Sequence, residues 1–130
     1  MKTIKQKDYF NASPHDVFEL LMDSKKHSSF TGSKASISRS KGGKITAYDG
    51  YIEGKNIEIV KDKKIVQQWR GSDWKEGAFS TAEFKFSRKG KGCELVFTQK
   101  NVPDENYTSI KQGWIDYYWN PIKEYLASKK

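Results

Sequence analysis

The segment GWIDYYWNPIKEYL, residues 113–126, constrains the fold of this chain more than any other part of its sequence. It contains two Trp, three Tyr, two Ile and one Leu, in a chain whose mean hydropathy is −0.85. Each buried aromatic side chain removes roughly 150–250 Å² from water, so burial of this segment is strongly favoured. Residues 113–126 therefore predict the centre of the hydrophobic core.

The wider range 105–126 has the periodicity of a helix that is apolar around much of its circumference. Its apolar arc is about 200° wide, against the ≳100° of an ordinary surface helix. The side chains within about 80° of the direction of Tyr107 are Tyr107, Ile110, Trp114, Tyr117, Tyr118, Pro121, Ile122 and Tyr125, and the arc is extended by Ile115, Trp119 and Leu126. Pro121 removes one backbone hydrogen bond and should kink the helix. A helix this apolar must be held from several sides, as a strongly curved antiparallel sheet would hold it.

The rest of the sequence predicts that sheet. Residues 3–10 predict an opening strand, Ser13 and Pro14 begin a short helix, and a second short helix runs from Asp23 or Ser24 to residue 30. Residues 35–100 then alternate with a period of two, and short turn signals interrupt them. The strands predicted between these turns are 45–48, 51–60, 64–70, 79–86 and 93–100. The connections are too short for parallel crossovers, so these strands form an antiparallel meander.

This order of elements predicts an α+β protein with the helix-grip fold. In that fold a curved antiparallel β-sheet wraps around a long C-terminal α-helix, and two short helices follow the first strand. The 130 residues are expected to form a single domain, 1–130. Cys93 is the one cysteine, which excludes an internal disulfide and fits a reducing compartment. We find neither a leader segment nor a membrane span, and expect a cytoplasmic monomer.

The net charge of +8 raises the question of nucleic-acid binding. Of the 24 basic residues only Arg39, Arg70 and Arg88 are arginine, the side chain on which specific base readout depends most. The lysines lie in turns and on the polar alternates of strands, without interleaved aromatic residues. We therefore expect a solvated lysine surface with no specific nucleic-acid site. Non-specific attraction to polyanions would be lost with salt.

A sheet wrapped around one helix often leaves a cavity between them. The side chains predicted to face that space are Trp69, Phe84, Phe97, Trp114 and Tyr118, which either line a pocket or fill the core. Arg70 is the polar candidate, because it follows a Trp at a strand end. It either pairs with Asp73 or meets an anionic head group at the mouth of the pocket.

Several motifs of this sequence resemble one known family. They are FTG (30–32), GG (42–43), DG (49–50), WR (69–70), Trp74 with Gly77, VP (102–103) and GWxxYYW (113–119). From about Tyr9 to Leu126 the chain is similar to the family named for homology to the activator of the heat-shock protein 90 (Hsp90) ATPase. That family belongs to the helix-grip superfamily, with the START lipid-transfer domains and the birch-pollen allergen. The resemblance implies this fold, a hydrophobic cavity in many relatives, and a domain of this type at the C-terminus of the eukaryotic co-chaperone.

Two functions follow from the resemblance and from the residues. One is a non-catalytic module with a hydrophobic cavity for a small apolar or lipid-like ligand. The alternative is a co-chaperone domain that contacts an Hsp90 homologue. The resemblance implies that a separate N-terminal domain carries ATPase stimulation in the co-chaperone. Since Met1 begins the helix-grip strand here, we expect weak stimulation or none from this chain alone.

Catalysis, metal binding and cofactors have little support in the sequence. His15 and His27 lack a metal-ligand spacing, and His15 is typical of a solvated first-turn residue. Cys93 begins a strand and lacks a nucleophile signature. No glycine-rich loop precedes a helix as a phosphate cradle requires. We predict no catalytic residue, no metal ligand and no cofactor.

Overall fold

The computed structural model describes residues 1–128, which form one seven-stranded antiparallel sheet and a set of helices. In spatial order the sheet is β1-β7-β6-β5-β4-β3-β2. The strands are β1 (Lys2–Phe10), β2 (Ser36–Ile37), β3 (Lys44–Ala47), β4 (Ile52–Val60), β5 (Lys64–Gly71), β6 (Ser80–Lys89) and β7 (Gly92–Val102). Strands β2 to β7 follow each other as a meander, and β1 pairs with β7. The α+β class and the predicted arrangement of strands are confirmed.

Two short helices, α1 (Pro14–Met22) and α2 (Ser24–Thr31), follow β1. The Asp16 N–H donates to Ser13 Oγ at 3.1 Å, and Pro14 occupies the first turn, where a missing N–H costs nothing. The Asp23 carboxylate caps α2 by accepting from the Lys26 N–H at 3.0 Å. Both helices therefore begin where their capping residues predict.

Helix α2 covers the edge of the sheet at β2. The Ile37 N–H donates to Ser24 Oγ at 2.7 Å, and the Ala35 N–H donates to Ser28 Oγ at 3.0 Å. These bonds give partners to backbone N–H groups at and next to β2 that an open sheet edge would leave unpaired. The alternation pattern did not predict β2 as a strand, because two residues are too few to show a period.

The C-terminal helix consists of α3 (Tyr107–Trp114), a π-helical turn (Ile115–Trp119) and α4 (Asn120–Ser128). The π turn holds more residues per turn than an α-helix and so rotates the following side chains around the axis. Trp119 is 2% exposed and lies in the core, whereas Tyr117 is 59% exposed. A uniform helix at about 100° per residue put Tyr117 at one edge of the apolar arc and Trp119 at the other. The burial of Trp119 agrees with that prediction, whereas the predicted place of Tyr117 in the arc is wrong.

Trp114 is the centre of the core. Its ring lies 4.4 Å from that of Phe97, 4.7 Å from Tyr118, and 5.5 Å from each of Trp69 and Trp119. Trp114, Tyr118 and Ile122 are all buried, as the helix-grip prediction requires. No helix within residues 1–128 combines the length and the hydropathy needed to cross a membrane.

Candidate functional site

The space between the sheet and the C-terminal helix is filled by side chains. Phe84 lies 5.1 Å from Phe97 and 5.7 Å from Trp114, measured between ring centres. An interior void of about 20 Å³ remains beside Trp69, Phe84, Trp114 and Tyr118. One water needs roughly 10–15 Å³ on this scale, so the void is too small for an organic ligand.

An open cleft of about 400 Å³ lies where α3 and the π turn face the beginning of β4 and the end of β5. It is lined by Tyr48, Tyr51, Ile52, Trp69, Ser109, Ile110, Gly113, Trp114, Tyr117 and Tyr118. Three of the predicted pocket residues, Trp69, Trp114 and Tyr118, thus line the cleft. Phe84 borders only the small void, and Phe97 borders neither space.

The sequence reasoning missed the outer wall of this cleft, which is the turn Tyr48–Gly50. Tyr48 and Asp49 have φ values of 50° and 56°, a conformation that few non-glycine residues adopt. The Asp49 carboxylate accepts the Lys34 N–H at 3.0 Å and so holds the turn. The DG pair at 49–50 predicted a turn here, but gave no sign that Tyr48 would face the C-terminal helix.

Tyr48 links this turn to the C-terminal helix by a hydrogen bond. Its hydroxyl donates to the carbonyl oxygen of Tyr117 at 2.5 Å. In an α-helix that carbonyl would accept from residue 121, but Pro121 has no N–H to donate. The Tyr48 ring also lies 5.6 Å from that of Tyr117 and 5.9 Å from that of Tyr118. The hydrogen bond that Pro121 removes from the helix is thus replaced from the wall of the cleft.

His27 and Tyr118 form a buried polar pair beneath the cleft. His27 Nδ1 lies 3.2 Å from the Leu21 carbonyl oxygen, and Nε2 lies 2.9 Å from the Tyr118 hydroxyl. A carbonyl only accepts, so Nδ1 carries the hydrogen and Nε2 accepts from Tyr118. Burial lowers the pKa of His27 to about 4 and raises that of Tyr118. Both groups are neutral at neutral pH, and their hydrogen bonds orient the Tyr118 ring.

Two glutamine side chains, the buried Gln99 and the half-buried Gln6, accept hydrogen bonds from tryptophan rings. Trp114 Nε1–H donates to Gln99 Oε1 at 2.7 Å, and Trp119 Nε1–H donates to Gln6 Oε1 at 2.6 Å. Gln99 Nε2 in turn donates to Ser80 Oγ at 2.8 Å. These bonds supply the polar partners that buried indole rings need.

Arg70 belongs to a structural cluster outside the cleft. Its Nη1 pairs with Glu53 Oε1 at 2.9 Å, and its other donors reach three backbone carbonyls of the loop 72–79. These are the carbonyls of Trp74, Lys75 and Ala78, at 2.6, 3.2 and 3.1 Å. The predicted pair with Asp73 is wrong, because Asp73 accepts instead from the Tyr51 hydroxyl at 2.8 Å. Glu53 lies directly opposite Arg70 in the β4–β5 ladder and is therefore the nearer carboxylate.

The remaining reactive side chains do not assemble into a site. His15 Nδ1 lies 2.8 Å from Asp62 Oδ1 at the exposed start of α1. Cys93 is buried, and burial raises the pKa of its thiol to about 11, which leaves little thiolate at neutral pH. In residues 1–128 no three His, Cys, Asp or Glu side chains gather closely enough to hold a metal ion.

A curved antiparallel sheet around a C-terminal helix, with a filled interior and an aromatic cleft at one end, defines a helix-grip domain. The model of the family described as "Activator of Hsp90 ATPase homolog 1-like protein" matches residues 11–127. The chain therefore belongs to this family, and the resemblance in its motifs is confirmed.

Two curated relatives match this chain over part of their own length. The human activator of 90 kDa heat shock protein ATPase homolog 1 is 31% identical over 121 residues, which are 93% of this chain and 36% of the relative. The Dictyostelium discoideum homologue is 33% identical over 114 residues, 87% of this chain and 30% of the relative. The chain thus spans about a third of the length of these relatives. Both are named as activators of an ATPase rather than as enzymes.

Solved structures support the same fold. The crystal structure of an HSP90 activator from Plasmodium falciparum matches with a TM-score of 0.90 and 27% identity, over 98% of this chain and 97% of that chain. A dimeric family member from Colwellia psychrerythraea matches with a TM-score of 0.81 and 16% identity, over 95% of both chains. The second likeness shows the fold alone.

Proposed function

We propose that this chain is a co-chaperone-type interaction module that contacts an Hsp90 homologue. The family match over residues 11–127 carries the proposal, because the relatives above are named for the Hsp90 ATPase. The P. falciparum structure supports it further, since the protein named there as an HSP90 activator matches this chain over almost its whole resolved length. The filled interior also weighs against a ligand held inside the fold.

The test is a titration of the chain into an Hsp90 homologue from the same organism, followed by calorimetry and by ATP turnover. We expect saturable binding with little change in turnover, because the chain matches only about a third of the length of the human and Dictyostelium discoideum activators. Binding must survive a salt series to about 0.2 M, since a chain of net charge +8 attracts any acidic protein at low salt. No binding at about 100 μM chain, an affinity too weak for a functional contact, would reject the proposal.

The aromatic cleft supports a second candidate, the binding of a small apolar ligand. Its volume of about 400 Å³ lies within the usual range for small-molecule sites, roughly 300–1,000 Å³. Trp69, Trp114 and Tyr118 supply apolar surface, while Ser109 and the tyrosine hydroxyls supply a polar edge. A lipid-like ligand with one polar end fits this combination.

Gly113 allows the cleft to be blocked without changing the core. A Cβ at Gly113 would lie 3.7 Å from Tyr117 Cδ2, which is ordinary van der Waals contact. Gly113→Leu should fill the cleft, whereas Gly113→Ala should leave it open. Both changes should stabilise α3, by about 0.5–1 kcal/mol for alanine, because glycine is a poor helix former.

The cleft is tested by titrating 8-anilinonaphthalene-1-sulfonate and a fluorescent fatty acid into the wild type and both variants. We expect saturable micromolar binding to the wild type and to Gly113→Ala, and at least tenfold weaker binding to Gly113→Leu. Equal binding to all three proteins would place the probes elsewhere and reject the cleft as their site.

A further inference from the structure

Two neighbouring hairpin tips concentrate positive charge at one end of the sheet. The turn between β4 and β5 carries Lys61 and Lys63, and the tip of the β6–β7 hairpin carries Arg88 and Lys91. All four side chains belong to exposed residues. The Phe86 N–H donates to the Lys63 carbonyl at 2.9 Å, so the β4–β5 turn lies beside β6, two residues before Arg88. We call these four residues the basic end.

The acidic residues nearby do not neutralise the basic end. Glu58 pairs with Lys64 at 3.2 Å and Glu94 with Lys89 at 3.1 Å, whereas Asp62 contacts His15 at 2.8 Å and offsets part of the charge of Lys61 and Lys63. Within the part of the chain that the structure describes, none of the four residues of the basic end has a carboxylate partner. The four residues of the basic end and Asp62 together carry a net charge of +3 (four cations less one carboxylate), against +8 for the whole chain.

The backbone of the basic end is held in place. The Lys63 N–H donates to the Val60 carbonyl at 2.9 Å and closes the first turn. Asp62 and Gly90 have φ values of 61° and 58°, typical of tight hairpin turns. Because regular ladders continue into both tips, a partner would not have to order the chain on binding.

The basic end lies far from the aromatic cleft. Strand β4 begins at Ile52, which lines the cleft, and ends at Val60, next to Lys61. Its eight steps of about 3.3 Å span roughly 26 Å. A partner on the basic end and a small ligand in the cleft would therefore occupy separate surfaces.

We propose that the basic end is the surface on which this chain docks an acidic segment of its protein partner. The inference rests on the proposed function, and names the part of the chain that the partner contacts. Four unpaired cations on a preorganised surface attract carboxylates and speed association, as complementary charge does at other interfaces.

The composition of the surface favours an acidic protein over a nucleic acid. Three of its four cations are lysine, which binds as a point charge and lacks the bidentate geometry of arginine. Tyr9 is an exposed aromatic side chain that lies against Gly92 at the start of β7. Its hydroxyl lies 2.4 Å from the position that a Cβ of Gly92 would take, so its ring covers the strand.

Two variants with equal changes in charge test the proposal. The first is Lys61→Gln/Lys63→Gln/Arg88→Gln/Lys91→Gln, in the basic end. The control is Lys25→Gln/Lys34→Gln/Lys75→Gln/Lys100→Gln, whose residues are exposed and spread over α2, the following loop, the loop 72–79 and β7. Both lower the net charge by the same four units. Circular dichroism and thermal unfolding should show both folded as the wild type is.

Two probes then test two separate questions. One asks whether the basic end binds acidic chains, and the other asks whether the Hsp90 homologue is the partner. One is a fluorescein-labelled peptide of 15 glutamate residues, and the other is the Hsp90 homologue, each titrated between about 0.05 and 0.2 M salt. With both probes we expect at least tenfold weaker binding for the basic-end variant and less than threefold for the control.

The outcomes distinguish the two proposals. If the wild type binds the peptide through the basic end but does not bind the Hsp90 homologue, the surface stands and the proposed function fails. If the two variants weaken both probes equally, only net charge matters and the surface is rejected while the function stands. Tighter binding of single-stranded RNA or of phosphatidylserine vesicles through these four residues would reject an acidic protein as the occupant.

Discussion

Acid should unfold this protein partly through His27. In the folded state burial lowers the pKa of His27 to about 4, whereas in the unfolded chain it has the ordinary value of 6.5. Between these values the unfolded state binds more protons, so the free energy of unfolding falls as the pH falls. The contribution is fully present above pH 6.5 and is lost as the pH approaches 4.

The size of the effect follows from the two pKa values. A full shift of this kind corresponds to about 3 kcal/mol, of which about 2 kcal/mol is lost by pH 5. His27→Gln is the matched variant, because its amide can donate to the Leu21 carbonyl and accept from the Tyr118 hydroxyl without titrating. Carboxylates contribute equally to both proteins, so the difference between them isolates His27.

The assay is urea unfolding of the wild type and His27→Gln from pH 7.5 to pH 5. The wild type should lose about 2 kcal/mol more than the variant over this range. NMR titration gives an independent value, because the chain has only two histidines, His15 and His27. Parallel stability profiles, or a His27 pKa near 6.5, would refute the reasoning.

Three further changes test the packing described above. Trp114→Ala should lower the free energy of unfolding by roughly 3–5 kcal/mol in urea, because it leaves a large cavity, and a loss below 1 kcal/mol would show that the core does not depend on this ring. Tyr48→Phe should cost about 1 kcal/mol by leaving the Tyr117 carbonyl without its donor, and unchanged stability would show that the bond contributes nothing. Arg70→Lys should speed amide hydrogen exchange in residues 72–79 by releasing their carbonyls, whereas unchanged exchange would mean that Glu53 pairing alone is the role of Arg70.

The fold was largely predictable from the sequence because its signals are local and agree with each other. Ser13, Pro14 and Asp23 place the first two helices, and the turn signals between residues 40 and 92 separate the strands of the meander. The apolar width of residues 105–126 requires a sheet on several sides. Each of these signals depends on neighbouring residues, so no tertiary information was needed.

The register of the C-terminal helix was less predictable. Calculation with about 100° per residue assumes a uniform helix, and it placed Tyr117 in the apolar arc, whereas Tyr117 is exposed within the π turn Ile115–Trp119. A π turn is stabilised by tertiary contacts, here including the bond from Tyr48, which lies 69 residues away. Pro121 marked an interruption, but not how the chain would accommodate it.

The site was only partly predictable for the same reason. Trp69, Trp114 and Tyr118 line the cleft, but whether Phe84 and Phe97 face a cavity or each other depends on side-chain volumes across the sheet. The partner of Arg70 was predicted wrongly, although the sequence contains the information needed to find it. Its partner Glu53 could have been found from the register of the β4–β5 hairpin, whereas proximity in sequence pointed to Asp73.

The most direct test of this account is a ¹⁵N NMR titration of the chain with its Hsp90 homologue at about 0.15 M salt. The account predicts saturable shifts or broadening of the amides at Lys61–Lys63 and Arg88–Lys91, with little change at interior residues such as Leu95 and Phe97. Spectra that do not change at equimolar concentrations of about 100 μM, or changes confined to the interior, would contradict a chain that functions by docking a protein partner on its surface.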